Sequence, residues 1–232
     1  MILGNIKKGS IVVMLSGGKD SSACLHLLKT QGFDVIAIHF IHKWSYQIVT
    51  DEAKRICNEY KVPLIIYDYT EEFLNVLNGF KGGRPCLLCK EKMYEITVKF
   101  ALEKNADYIC VGDNANDTTT IARIKKSIEN RLGETLFLNT FLDAKVTLPN
   151  SVKVIRPIVD MTSEEVLQYL EKNNIHIQRV GDTGDKYFEY SREGCPIQFH
   201  DPGTEITVED MDKLHDYNTA LSKFARDNAI RA

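Results

Sequence analysis

Apolar residues fall along this chain in short runs, and amphipathic stretches separate them. Ile11-Val12-Val13-Met14-Leu15 is an apolar run of strand length. A glycine pair follows, then an amphipathic stretch over 22–30 with Ala23, Leu27 and Leu28 on one side. The same pattern predicts strands at 35–40, 64–67, 108–111 and 152–155. Helical spacing predicts helices at 46–60, 71–77, 90–104 and 118–132, and one more after Thr162, whose hydroxyl is placed to cap it. Buried strand alternating with helix is the mark of an α/β protein: a doubly wound, mostly parallel five-stranded sheet with helices on both faces. The alternation lapses after Asn174. Residues 181–203 are glycine-rich and polar, and 208–227 read as a last helix with Leu214, Leu221 and Phe224 inward. The expected organisation is an α/β domain over 1–175 and a C-terminal extension over 176–232.

Composition narrows this picture. The 232 residues are 44% apolar, enough for one buried core, and no apolar run has the length of a membrane span. The start of the chain, 1–10, has no signal-peptide core, so the expected location is cytoplasmic. Net charge is −3, from 29 basic and 32 acidic residues. A protein gripping nucleic acid over its whole surface is usually basic. Any RNA contact here is expected to be local, and Arg123, Lys125, Lys126 and Arg131 on one predicted helix form a candidate patch.

The stretch Ser16-Gly17-Gly18-Lys19-Asp20-Ser21-Ser22 lies between the first strand and the first helix. Two glycines let the backbone turn sharply and bring N–H groups against an anion, and the helix N-terminus adds its own free donors. Lys19 supplies a point charge, Ser21 and Ser22 supply hydroxyls, and Asp20 suits a metal-mediated contact or a cap. The loop is built to hold phosphate, yet it is not a Walker A motif, because Asp20 stands where Ser or Thr would follow the Lys. These residues resemble the PP-loop of the N-type ATP pyrophosphatases. That resemblance implies ATP and Mg²⁺, cleavage between the α and β phosphates, adenylation of an acceptor and release of pyrophosphate. It also implies that adenine is cradled at the end of the second strand, near His39, Phe40 and Ile41. As residues, His39 and His42 read as surface or core histidines.

After the fourth strand comes Gly112-Asp113-Asn114-Ala115-Asn116-Asp117-Thr118. Gly112 permits close approach of a nucleotide, and Asp113, Asn116 and Asp117 have the oxygens to hold Mg²⁺ or meet a ribose. An Asx-rich turn capping the next helix is the alternative. The matching loop of PP-loop enzymes often reads Gly-His-Asn-x-Asp-Asp. This chain keeps Gly112, Asn114 and Asp117 but has Asp113 and Asn116 where His and Asp would stand. The resemblance therefore gives those two no role.

Six cysteines divide by context. Cys24, Cys57 and Cys110 lie in apolar segments and read as core residues. Cys86, Cys89 and Cys195 lie near Gly and Pro, in apparent loops. A Cys-x-x-Cys pair is half a zinc site, a redox disulfide or an incidental pair. With Cys195 as a third ligand and His200 the nearest fourth, the set suits an open catalytic site better than a closed structural one. A PP-loop, then Pro-Cys-x-x-Cys, then one distant cysteine is similar to the tRNA 2-thiolation enzymes and the archaeal 4-thiouridine synthetases, over about residues 10–200. The resemblance implies that Cys86, Cys89 and Cys195 hold a [4Fe–4S] cluster with one iron left to bind sulfide. The implied activity is an ATP-dependent sulfurtransferase acting on a tRNA base. Catalytic candidates are Lys19, Asp20, Asp117 and the three cysteines. Nucleotide-binding candidates are Ser16, Gly17, Gly18, Lys19, Asp20, Ser21, Ser22, His39, Phe40, Gly112 and Asn114. A persulfide on one cysteine is a second route for sulfur, delivered by a sulfide or persulfide donor. A small-molecule acceptor, or an amide-forming ligase with zinc, is the alternative reading, and a homodimer through the last helix is a further expectation.

Overall fold

The computed structural model describes residues 9–79, 85–117, 152–177, 195–199 and 204–229. The expected helix at 118–132 with its basic patch, Gly82-Gly83, His200 and most of 181–203 lie outside them. Five strands, β1 (Ser10–Met14), β2 (Asp34–Ile41), β3 (Leu64–Asp68), β4 (Tyr108–Cys110) and β5 (Lys153–Ile155), form one sheet in the order β3-β2-β1-β4-β5. Every pair is parallel, with Val12 registered against Ile36 on one side and Ile109 on the other. Helices α1 (Lys19–Thr30), α2 (Gln47–Glu59), α3 (Thr70–Gly79), α4 (Cys86–Glu103), α5 (Ser163–Lys172) and α6 (Val208–Ala229) cover it.

The period-2 alternation of β1 builds two cores. Ile11, Val13 and Leu15 face α1, α2 and α5, packing with Leu28, Ile56 and Val166. Val12 faces the opposite layer with Phe73, Tyr94, Ala101 and Met211 from α3, α4 and α6. The expected doubly wound sheet is thus present, with helices on both faces. The C-terminal stretch shares the second core, where Ile197, Ile206 and Met211 are buried. No helix among the described residues is long and apolar enough to cross a membrane.

Two helices start earlier than expected. α1 begins at Lys19, so Lys19, Asp20 and Ser21 form its first turn rather than a loop. α4 begins at Cys86 behind Pro85, which places both Cys86 and Cys89 on a helix. Proline is tolerated at such a start, because the N–H it lacks has no intrahelical partner there. Thr162 caps α5 as expected: its hydroxyl accepts from Glu165 N–H, and the Glu165 carboxylate accepts from Thr162 N–H at 2.7 Å, closing a capping box.

Candidate functional site: one cleft for a phosphate loop and three thiols

In this strand order the chain leaves β1 toward β2 and later returns to β4 on its other side. The carboxyl ends of β1 and β4 therefore part, and ligands bind in such a crevice. A cleft of about 490 Å³ opens there. Ser16, Asp20 and Ser21 line it, with His39 and Phe40 from β2, Gly112 and Asp113 beyond β4, and all three of Cys86, Cys89 and Cys195. Gly17, Gly18, Lys19, Ser22, Asn114 and Asp117 are not among the residues that line it.

Gly17 holds the turn after β1 at φ +76°, and a Cβ on it would stand 2.6 Å from the Val49 carbonyl of α2. The glycine is needed by the backbone itself. The two serines correct the sequence reading, because their hydroxyls are spent inside the loop. Ser22 Oγ donates to the Gly18 carbonyl at 2.8 Å. Ser21 Oγ accepts from Ser16 N–H at 3.1 Å and stands 3.0 Å from Ser16 Oγ. No side chain caps α1, so its first-turn N–H groups remain the donors suited to an anion. Asp20 is no cap either: it pairs with Lys19 at 2.7 Å and accepts from Asn114 Nδ2 at 3.0 Å.

Gly112 has a different use from the expected one. A Cβ there would lie 2.8 Å from Ser21 N, so the missing side chain lets the loop after β4 press onto the start of α1. Asn114 then braces the loop, its amide reaching Asp20 and its Oδ1 accepting from Asn116 N–H at 2.8 Å. Asp117 Oδ2 accepts from Asn114 N–H at 3.0 Å, and Asn116 Oδ1 accepts from Ser163 N–H at 3.1 Å. These bonds make an Asx-rich turn with Asp117 holding backbone, while the helix it was expected to cap lies outside the described residues. His39 is a core residue: Nδ1 donates to the Leu15 carbonyl at 2.7 Å, and Nε2 meets the Thr50 hydroxyl at 3.2 Å.

Asp113, a sequence candidate for Mg²⁺ or a ribose, is instead paired with two cations. It is buried, with Oδ1 held by Lys90 Nζ at 2.8 Å and Oδ2 by Arg156 Nε at 2.9 Å. Burial alone would raise its carboxyl, but the two cations outweigh that and hold it below the usual carboxylate range.

Among the thiols lining the cleft, Cys86 is exposed while Cys89 and Cys195 are half-buried. Tyr69, fully buried at the end of β3, brings its hydroxyl to 2.6 Å from Cys89 Sγ. Burial and the nearby thiols raise the phenol far above its ordinary value, so it stays protonated. Burial pushes the Cys89 thiol up to about 11, against the pull of the Tyr69 bond. Burial likewise pushes Cys195 up to about 12, with the Ile197 N–H pulling back and the charges of Cys89 and Cys86 adding to the rise. The three sulfurs thus feel one another. Three thiols are a soft donor set that fits iron or zinc. No three His, Cys, Asp or Glu side chains among the described residues are grouped so that they could hold one metal ion. Cys24, Cys57 and Cys110 are buried, as expected.

Sequence reasoning missed the aromatic end of the cleft. His42 stacks on Phe73 with centroids 4.6 Å apart, and burial lowers it to about 4, so it is neutral at pH 7. Trp44 Nε1 donates to Asp212 Oδ1 on α6 at 2.7 Å. It also missed Tyr69 and Lys90. The available signals were position at the carboxyl end of β3, and a lysine directly after Cys89.

A doubly wound sheet with a glycine phosphate loop at its switch point defines an α/β protein of the PP-loop class. The chain belongs to the phosphoadenosine phosphosulfate reductase domain family, whose pattern matches residues 10–201. It is 31% identical over 228 residues to the uncharacterized protein MJ1016 of Methanocaldococcus jannaschii, covering 96% of this chain and 77% of that one. It is 28% identical over 220 residues to the tRNA-specific 2-thiouridylase MnmA of Staphylococcus saprophyticus, covering 83% of this chain and 58% of that one. The chain thus spans less than two thirds of that relative. The fold resembles the U34-tRNA thiolase NcsA of Methanococcus maripaludis, solved with its [4Fe–4S] cluster, at TM-score 0.56 and 21% identity over 96% of this chain and 70% of that one. It also resembles the NH3-dependent NAD synthetase of Campylobacter jejuni, at TM-score 0.54 and 14% identity over 96% and 89%.

Proposed function

We propose that this chain is an ATP-dependent sulfurtransferase that adenylates a base of tRNA and replaces its activated oxygen with sulfur. The observation that carries the reading is the single cleft, which the α1 phosphate loop and Cys86, Cys89 and Cys195 all line. Its relatives include enzymes named for tRNA thiolation. A carbonyl oxygen is a poor leaving group, and AMP transfer makes it a good one. Lys19, Asp20 with Mg²⁺ and the first-turn N–H groups of α1 bind the phosphates and stabilise charge on departing pyrophosphate. Gly112, Asn114 and Asp117 keep the β4 loop against that turn. His39 and Phe40 border the adenine side of the cleft.

Cys86, Cys89 and Cys195 would hold a [4Fe–4S] cluster, which when bound supplies a position for the incoming sulfur. From the C-terminal stretch, Cys195 and Ile197 line the cleft. The test is full-length protein, purified without oxygen and mixed with ATP, Mg²⁺, sulfide and unmodified tRNA. Pyrophosphate release together with a thiolated nucleoside is expected, both lost in Lys19→Ala and only the second in Cys195→Ser. Pyrophosphate without thiolated product in the wild type would refute the sulfur step.

A further inference from the structure

Lys90 is the only lysine or arginine among the described residues lining the cleft. It follows Cys89 on α4, and its Nζ stands 2.8 Å from Asp113 Oδ1. Asp113 has a second cation in Arg156, whose side chain is 1% exposed and whose guanidinium also donates to the Tyr94 hydroxyl at 3.2 Å. The Lys90 side chain is 32% exposed. One cation is locked in the core and the other stands at the cleft wall. Lys90 can change partner without stranding a buried charge, because Arg156 keeps Asp113 paired. Its place is defined from both sides. Asp113 follows Gly112, which presses on Ser21 at the start of α1, and Cys89 precedes Lys90. Lys90 thus lines the same cleft as Ser16, Asp20 and Ser21 of the phosphate loop and the three thiols.

We propose that Lys90 is a catalytic residue of the sulfur-transfer step, moving from Asp113 onto the phosphate of the adenylated base and holding AMP as it leaves. This rests on the sulfurtransferase reading above. In that step hydrosulfide attacks the activated carbon and a C–S bond forms. The C–O bond to the adenylate breaks, with its electron pair leaving on AMP. The proton carried in on sulfur passes to the ring nitrogen that lost its own on activation. The phosphate goes from one negative charge to two, and a cation already at its oxygen stabilises that charge as it develops. Lysine suits the task, being a point charge on a flexible stem, where Arg156 is a rigid fork fixed to its carboxylate.

The test is calorimetric titration of the full chain with AMP and with adenosine, in wild type, Lys90→Met and Lys90→Arg. Lys90→Met is expected to weaken AMP binding about tenfold, leave adenosine binding unchanged and lower thiolated product per pyrophosphate formed. Lys90→Arg is expected to restore most of the AMP affinity. Equal AMP affinity in wild type and Lys90→Met overturns the proposal, as does an equal loss for AMP and adenosine, which marks a structural role. A wild type whose AMP binding depends on Lys90 but which makes no thiolated product upholds the phosphate contact and refutes the sulfurtransferase reading.

Discussion

Asp113 is the residue on which the two halves of the cleft meet, since Lys90 reaches it from α4 and Arg156 from beyond β5. Removing the carboxylate takes the Asp113 partner from a buried guanidinium, and Asp113→Ala is expected to cost about 3–5 kcal/mol at pH 7. The sign of its pH dependence follows from its lowered folded-state value. The stabilisation is whole above the unfolded carboxylate value of about 3.9, and is lost as pH falls through the lower folded value. Urea unfolding of wild type and Asp113→Ala should show the gap shrinking below about pH 4. A gap that persists unchanged there would contradict the ion-pair account. None of this was legible in the sequence, where 23 and 43 residues separate Asp113 from its partners. Its family departure was visible, but its partners were not. Ser21 and Ser22 misled for a related reason: a hydroxyl looks the same in sequence whether it faces a ligand or, as here, the Gly18 carbonyl.

At the scale of elements, the strands were legible because continuous apolar runs bounded by turn residues admit few other readings, and β1, β2 and β4 lie where those runs fall. The α5 start was legible because Thr162 and Glu165 form a local device. Helix starts at the site were not. Ser-Gly-Gly-Lys-Asp-Ser looks like loop, though polar residues are normal in a first turn, and Pro85 looks like a break though it opens α4. The join of β1 to α1 rests on Gly17. Gly17→Ala would impose a strained φ and press its methyl on the Val49 carbonyl. A loss of about 1–3 kcal/mol is expected, with weaker ATP binding than the stability change alone explains. Unchanged thermal stability and ATP affinity would show that this turn does not need glycine.

At the scale of the molecule, α6 closes over the β2 loop. Lys43 Nζ and Trp44 Nε1 both reach Asp212, and Tyr46 stacks on His215 with centroids 4.8 Å apart. Trp44, the one tryptophan in the chain, is 1% exposed and lines the cleft. Its emission is therefore a direct report on this closure. Asp212→Ala is expected to shift that emission to the red and raise its quenching by acrylamide. An unchanged spectrum would mean that α6 does not hold the loop. The sequence showed a final helix but not its docking, which depends on pairs about 170 residues apart.

The central claim is that the three cysteines lining the phosphate cleft act together as one sulfur site. Its most direct test is iron, sulfide and zinc analysis with a visible spectrum, on wild type and Cys195→Ser purified without oxygen. The account predicts a brown wild type with about four irons per chain and a pale, folded Cys195→Ser without them. A wild type that holds no iron under those conditions, or a Cys195→Ser that loads as well as wild type, would contradict it.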